Sequence, residues 1–259
     1  MSEIRLKDIT VTYKEKNNDY TAVKDINISI KEGEFLSIIG PSGCGKSTLL
    51  SILAGLSLPS DGYVLYDEQE VQAIEIDSGI VFQNYSLFPW MSAKKNITFG
   101  IKQASKDKSK KEIEKIADDY LELVSLSDFA NKFPAQLSGG MKQRVAIART
   151  FARNPSVFLM DEPFAAVDAK NRVVLQELLL KLWDTVDKNK TVVLVTHDID
   201  EAILLSDRII VMGTGPGTIK KEINVDFERP RDRTKIIKTK EYANLRHKLI
   251  SLFYDELIQ

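Results

Sequence analysis

Near the start of the chain, apolar residues recur at close to every second position. Ile4, Leu6, Ile9 and Val11 have the spacing of a half-buried strand, and Ile26, Ile28 and Ile30 alternate cleanly with polar neighbours. Phe35-Leu36-Ser37-Ile38-Ile39 is almost continuously apolar, the pattern of a strand covered on both faces. It runs directly into Gly40-Pro41-Ser42-Gly43-Cys44-Gly45-Lys46-Ser47-Thr48. A helical stretch follows at 49–54, closed by Gly55, and Pro59-Ser60-Asp61-Gly62 reads as a turn. Residues 79–83 form a short apolar strand that ends in the amide Gln83.

From residue 92 to 130 the period lengthens. The spacing predicts a helix over 96–103 and another over 106–124, with Ile113, Ile116, Tyr120, Leu121 and Val124 on one face. The basic run at 106–112 reads as the solvated start of that helix, because charges of both signs surround it. Strands and helices then alternate: helix 141–153 and strand 157–160, helix 169–186 and strand 191–195, helix 199–206 and strand 208–212. A turn at 213–217, a strand at 218–225 and an amphipathic tail at 242–257 follow, the tail with Leu245, Leu249, Leu252 and Phe253 on one face. This is the pattern of an α/β domain interrupted by a helical insertion near residues 90–140.

Composition narrows the function classes. With 259 residues, 43% of them hydrophobic, the chain can bury a full core, and disorder as its main state is excluded. The 36 Lys and Arg nearly cancel the 37 Asp and Glu, so a protein built mainly to coat nucleic acid is disfavoured. Cys44 is the single cysteine, which points to a reducing compartment. The N-terminus is charged from Glu3 onward and lacks the apolar core of a signal peptide, and no run approaches the roughly 20 apolar residues of a membrane span. A role at a membrane therefore requires a partner that holds the protein there.

Gly40-x-x-x-x-Gly45-Lys46-Ser47 matches the phosphate-loop pattern and lies between a strand and a helix, as that pattern requires. Gly43 and Gly45 let the backbone fold closely around phosphate oxygens, and the amides of 43–48 point into the loop at a helix N-terminus. Lys46 supplies a point charge for the β- and γ-phosphates, and the Ser47 hydroxyl can ligate Mg²⁺. Two readings stay open for Cys44: a small residue tolerated in a tight loop, or a thiol whose pKa the loop amides lower, making it reactive toward alkylation. Four apolar residues, 157–160, deliver Asp161 and Glu162 to the end of a buried strand, where open α/β sheets place their ligands. There Asp161 can hold Mg²⁺ through water, and Glu162 can polarise the attacking water.

Leu137-Ser138-Gly139-Gly140-Met141-Lys142-Gln143-Arg144 supplies a second phosphate-binding device: a hydroxyl, two glycines and the start of a helix. With these residues the sequence resembles the ATP-binding cassette family, the nucleotide-binding subunits of membrane transporters. The resemblance covers nearly the whole chain. Tyr13, the phosphate loop, Gln83, Ser138-Gly139-Gly140, Asp161-Glu162, Ala165-Ala166-Val167-Asp168 and His197 follow the family's order. It implies one domain over 1–259 with a RecA-like P-loop NTPase core at 1–88 and 141–230 that includes an antiparallel β subdomain. A helical subdomain at 89–140 carries the signature, and 231–259 form a helical tail.

The family's roles then fall on particular positions. Tyr13 matches the aromatic that stacks on adenine; a strand tyrosine covering the core edge is the alternative. Gln83 matches the glutamine that reaches Mg²⁺ and the attacking water, and His197 the histidine that contacts the γ-phosphate. Asp168 matches the aspartate that communicates across a dimer. Residues 138–140 would close over the ATP of a second copy in a head-to-tail, ATP-dependent dimer with two sites. Met141 and Ala165 depart from the commonest family residues, glutamine and serine, which implies tuned affinity rather than lost activity. Both departures are similar to importer subunits of the nitrate, sulfonate and taurine type. Phe88-Pro89-Trp90, an apolar loop either tucked into the core or exposed for docking, matches the groove that receives a membrane permease. The implied protein is an ATPase on the cytoplasmic face of the cell membrane, served indirectly by a solute-binding protein, with no nucleic acid. It powers import of a solute such as nitrate, sulfonate or taurine, or a related small nutrient. An ATP-driven switch on nucleic acid or ribosomes, and an exporter cassette, are the competing readings.

Overall fold

A computed structural model describes residues 3–14, 18–71, 77–105, 107–185 and 189–255. In chain order it contains β1 (Glu3–Lys14), β2 (Asp19–Lys31), β3 (Phe35–Ile39), α1 (Lys46–Leu53), β4 (Asp61–Tyr66), β5 (Gln69–Val71) and β6 (Ser78–Val81). Then come α2 (Ala93–Ala104), α3 (Lys110–Leu123), α4 (Gly139–Arg153), β7 (Val157–Asp161) and α5 (Ala169–Thr185). The last are β8 (Thr191–Thr196), α6 (Ile199–Leu205), β9 (Arg208–Gly213), β10 (Thr218–Asn224), α7 (Arg233–Ile236) and α8 (Lys240–Asp255). The chain forms two compact units, one made of Met1–Asp77 with Lys188–Gln259 and the other of Ser78–Asp187.

In the first unit the strands β2-β1-β4-β5 make an antiparallel sheet. Ile4 faces Ile30 and Leu6 faces Ile28, so the alternating residues of both strands bury the same face. The register slips after Leu6, where Asp8 takes a positive φ and exchanges hydrogen bonds with Asn27: the Asp8 N–H donates to its amide oxygen and the amide nitrogen donates to the Asp8 carboxylate. In the same unit β3 is flanked by two parallel neighbours, β8 and β9, with antiparallel β10 beyond β9. Every residue of β3 and of β8 is buried, as their near-continuous apolar runs predict. The tail forms its amphipathic helix: Leu249 is buried in one cluster with Ala202, Ile203 and Leu204, and Leu245, Leu252 and Phe253 pack against that cluster.

In the second unit β6 pairs parallel with β7, Ile80 opposite Leu159. Helices α2, α3 and α4 share a core that includes Ile97, Ile113, Leu121, Val145 and Ala148. Helix starts differ from the sequence expectation where a side chain caps the backbone. α2 begins at Ala93 because the Ser92 hydroxyl accepts the N–H of Lys95. α3 begins at Lys110: Ser109 accepts the Glu112 N–H and the Glu112 carboxylate accepts the Ser109 N–H, so residues 107–109 are not its first turn. Lys106, the predicted start, lies outside the described residues, as do Val186 and Leu257 at the predicted ends of α5 and α8.

Asn96, fully buried in α2, organises the loop before that helix. Its amide oxygen accepts the Phe88 N–H at 2.9 Å, and its amide nitrogen donates to the carbonyls of Phe88, Met91 and Ser92. Replacing Asn96 with Ala leaves these backbone groups without that partner, and we expect a loss of about 2 kcal/mol of stability. Urea unfolding of wild type and variant measures it.

Candidate functional site

The first unit builds the phosphate loop from the end of β3. Gly43 (φ 82°) and Gly45 (φ 90°) take left-handed conformations, and α1 starts at Lys46 immediately afterwards. A side chain at Gly45 would collide with Val23, and one at Gly43 would meet only open space. Ser42, Gly43 and Ser47 are exposed, while the Lys46 ammonium is buried and donates to the carbonyls of Gly40 at 2.8 Å and Pro41 at 2.9 Å. The loop therefore presents a concave backbone at a helix N-terminus with a cation at its base, which fits a polyphosphate. Ile39 pairs in register with Thr196, so the phosphate loop and exposed His197 leave adjacent strand ends. Tyr13 lies on the other sheet of this unit, directly opposite Tyr20, and both rings are about half exposed.

In the second unit Val81 pairs in register with Met160, so Gln83 and the Asp161-Glu162 pair also leave adjacent strand ends. Glu162 has φ 44°, the left-handed region that a side chain with a Cβ enters only at a cost. Ser138 is exposed and caps α4 by accepting the Met141 N–H. Asp168 accepts the Asn171 side-chain amide at 2.7 Å and its N–H at 3.1 Å, and these bonds hold the carboxyl below its ordinary pKa. A side chain at Gly140 would touch Asn171, and one at Gly139 would lie 3.0 Å from the Tyr85 hydroxyl, which itself donates to Ala166. Three segments thus converge: the loop after β6, the start of α4 and residues 165–168.

Tyr85, Asn96, Arg149 and Asn171 were not singled out by sequence. Arg149 donates to the carbonyls of Ser86 at 2.8 Å and Tyr85 at 3.4 Å, and its guanidinium lies 5.8 Å from the Phe88 ring centroid. Burial lowers its pKa, a sign that a charge is held where water is scarce. The visible signal was a cation in the otherwise small and apolar Val145-Ala146-Ile147-Ala148-Arg149 run. Phe88 is half-buried and Trp90 is 69% exposed, so the apolar loop divides between the two readings of its sequence. A cavity of about 510 Å³ beside it is lined by Phe82, Phe88, Phe99, Gln103, Arg149 and Arg153, among others.

Cys44 corrects one expectation. Its side chain is fully buried and faces inward, so close to Gly40 that a side chain there would lie 2.6 Å from the sulfur. Burial pushes the thiol pKa up, outweighing the lowering by nearby Lys46. The reactive reading fails: the residue is a small apolar filler of a tight loop. Because the raised pKa shrinks the thiolate fraction at neutral pH, iodoacetamide should label native Cys44 at least tenfold more slowly than the same residue in urea. Mass spectrometry of timed samples reads both rates.

Comparison with known proteins matches this geometry. The family profile described as ABC transporter matches residues 23–165. The chain is 46% identical to an ABC transporter ATP-binding protein of Methanocaldococcus jannaschii, over 99% of this chain and 93% of that protein. It is 45% identical to the nitrate import ATP-binding protein NrtD of Synechococcus elongatus, over 94% of this chain and 88% of that one. It is 49% identical to the bicarbonate transport ATP-binding protein CmpC of the same organism, over 90% of this chain but only 35% of that longer protein. Among solved structures, the dimeric post-hydrolysis state of the ATP-binding cassette MJ0796 with ADP and Pi superposes with a TM-score of 0.77 at 38% identity, covering 87% of this chain and all of that one. The chain belongs to the ABC transporter family, as an ATPase cassette with the family's α/β P-loop fold.

Proposed function

We propose that this cassette powers import of a small nutrient solute, such as nitrate, bicarbonate, a sulfonate or taurine, through a partner membrane permease. It works as a head-to-tail dimer with two ATP sites. The observation that carries the reading is the pairing at strand ends: the phosphate loop beside His197 in one unit, and Gln83 beside Asp161 and Glu162 in the other. The names of the nitrate and bicarbonate relatives support the solute class.

In this reading residues 40–48 wrap the ATP phosphates. Lys46 neutralises the β- and γ-phosphates, and Tyr13 stacks on adenine. The hydroxyl of Ser47, the Asp161 carboxylate and the Gln83 amide are hard oxygen donors that suit Mg²⁺, which offsets phosphate charge when bound. Glu162 accepts a proton from the attacking water, and His197 donates a hydrogen bond to the γ-phosphate. Ser138, Gly139 and Gly140 close over the ATP of a second copy, whose presence Asp168 communicates. A permease segment docks at Phe88, Pro89 and Trp90, filling the neighbouring apolar cavity while Arg149 and Arg153 favour an acidic side chain on it.

Glu162→Gln keeps shape but loses the proton acceptor, so ATP persists and holds two copies together. We expect an ATP-dependent dimer by size exclusion in this variant, and its loss on adding Ser138→Arg, which places bulk at the partner's γ-phosphate. A double variant that dimerises as well as the single one overturns the head-to-tail arrangement. Trp90→Ala should leave nucleotide binding unchanged but weaken assembly with co-expressed permease subunits by roughly tenfold or more, the scale of an aromatic anchor. Co-purification yield with the permease measures it, and an unchanged yield removes this loop from the docking surface.

A further inference from the structure

The helix that follows His197 is tied at both ends by the C-terminal part of the chain. At its start, the buried Thr196 hydroxyl donates to Glu201 at 2.7 Å and accepts the Asp198 N–H at 3.0 Å. The Asp198 carboxylate accepts the N–H groups of Asp200 at 2.9 Å and Glu201 at 3.1 Å. Both neighbours of His197 are therefore bonded to the first turn of α6 or to its cap. At the other end, Arg231 donates to the carbonyls of Ser206 at 2.6 Å and Ile203 at 3.3 Å, and Arg229 donates to that of Leu205 at 2.6 Å. These are carbonyls at the helix end, where a guanidinium also complements the dipole.

α8 reaches the first turn. The Tyr242 hydroxyl and the Arg246 guanidinium both donate to the same carboxylate oxygen of Asp200, each at 2.7 Å. Tyr242 is buried in the cluster that joins α6 to the tail, and burial, with Asp200 second, raises its pKa so that it remains a donor. Arg246 and Asp200 are more exposed, and such a pair alone contributes little. α6 has only seven residues, too few to fix its own position by internal hydrogen bonds. Its placement is set by what it is tied to.

We propose that Tyr242 and Arg246 are positioning residues for His197, acting through Asp200 and the first turn of α6. The proposal rests on the reading that His197 contacts the γ-phosphate. The tail thereby belongs to the hydrolytic apparatus without touching nucleotide: it sets the angle at which the Thr196–Asp198 link presents the imidazole.

The test uses the full chain with Tyr242→Phe and Arg246→Gln combined; the phenylalanine keeps the buried ring. ATP turnover should fall roughly fivefold while the KM for ATP and the affinity for MgADP stay within about twofold, since the phosphate loop is untouched. In a His197→Ala background, followed under single-turnover conditions, the same pair should cause no further loss. Tyr242→Phe alone should give part of the effect, and Asp200→Ala should reproduce all of it. Equal loss in both backgrounds, a loss confined to KM, or unchanged turnover in the double variant overturns the proposal and leaves the role of His197 standing. Full turnover in His197→Ala itself overturns that role, and this proposal with it.

Discussion

Within each unit, the register between parallel strands is the constraint on which the functional loops depend. Ile39 stands opposite Thr196 and Val81 opposite Met160. Each pairing is fixed by the backbone hydrogen bonds of a parallel ladder, so a slip of one residue would carry the loop after one strand about 3.3 Å along its neighbour. The loops that leave these strands inherit that precision. The loops that carry Lys46 and His197 in one unit, and Gln83 and Glu162 in the other, are thus placed by ladders made mainly of Val, Ile, Leu, Phe and Met, residues with no chemistry of their own.

The apolar strands limit what the loops can contain. Gly40, Cys44 and the backbone of Met212 crowd together at the end of β3, and Gly217 lies so near the Cys44 carbonyl that a side chain there would collide with it. Small residues in the phosphate loop therefore answer two demands: close approach to phosphate on the exposed side and close approach to the sheet on the buried side. The second demand explains the inward thiol.

Much of this was legible in sequence, because β3, β7 and β8 are buried on both faces and read as near-continuous apolar runs. Val157 to Asp161 and Thr191 to Thr196 could hardly be anything else. The phosphate loop was legible because its chemistry needs a fixed spacing. Asn96 was not, since a buried amide that holds the backbone of Phe88, Met91 and Ser92 has no pattern to announce it. Cys44 stayed open in sequence because the helix N-terminus argues for a low pKa and only the burial of the side chain shows which effect wins. The true start of α3 depended on a reciprocal bond between Ser109 and Glu112 that charge patterning does not weigh.

Glu162 holds a backbone conformation that glycine would adopt freely, at a cost of roughly 1 kcal/mol to the fold. Backbone strain alone would favour glycine or asparagine at this position. In the proposed mechanism the carboxylate that accepts the water proton is what stands against that strain. On that reading, a lineage that kept the cassette as a nucleotide-gated clamp but abandoned turnover would lose the reason to hold an acid in so strained a backbone position.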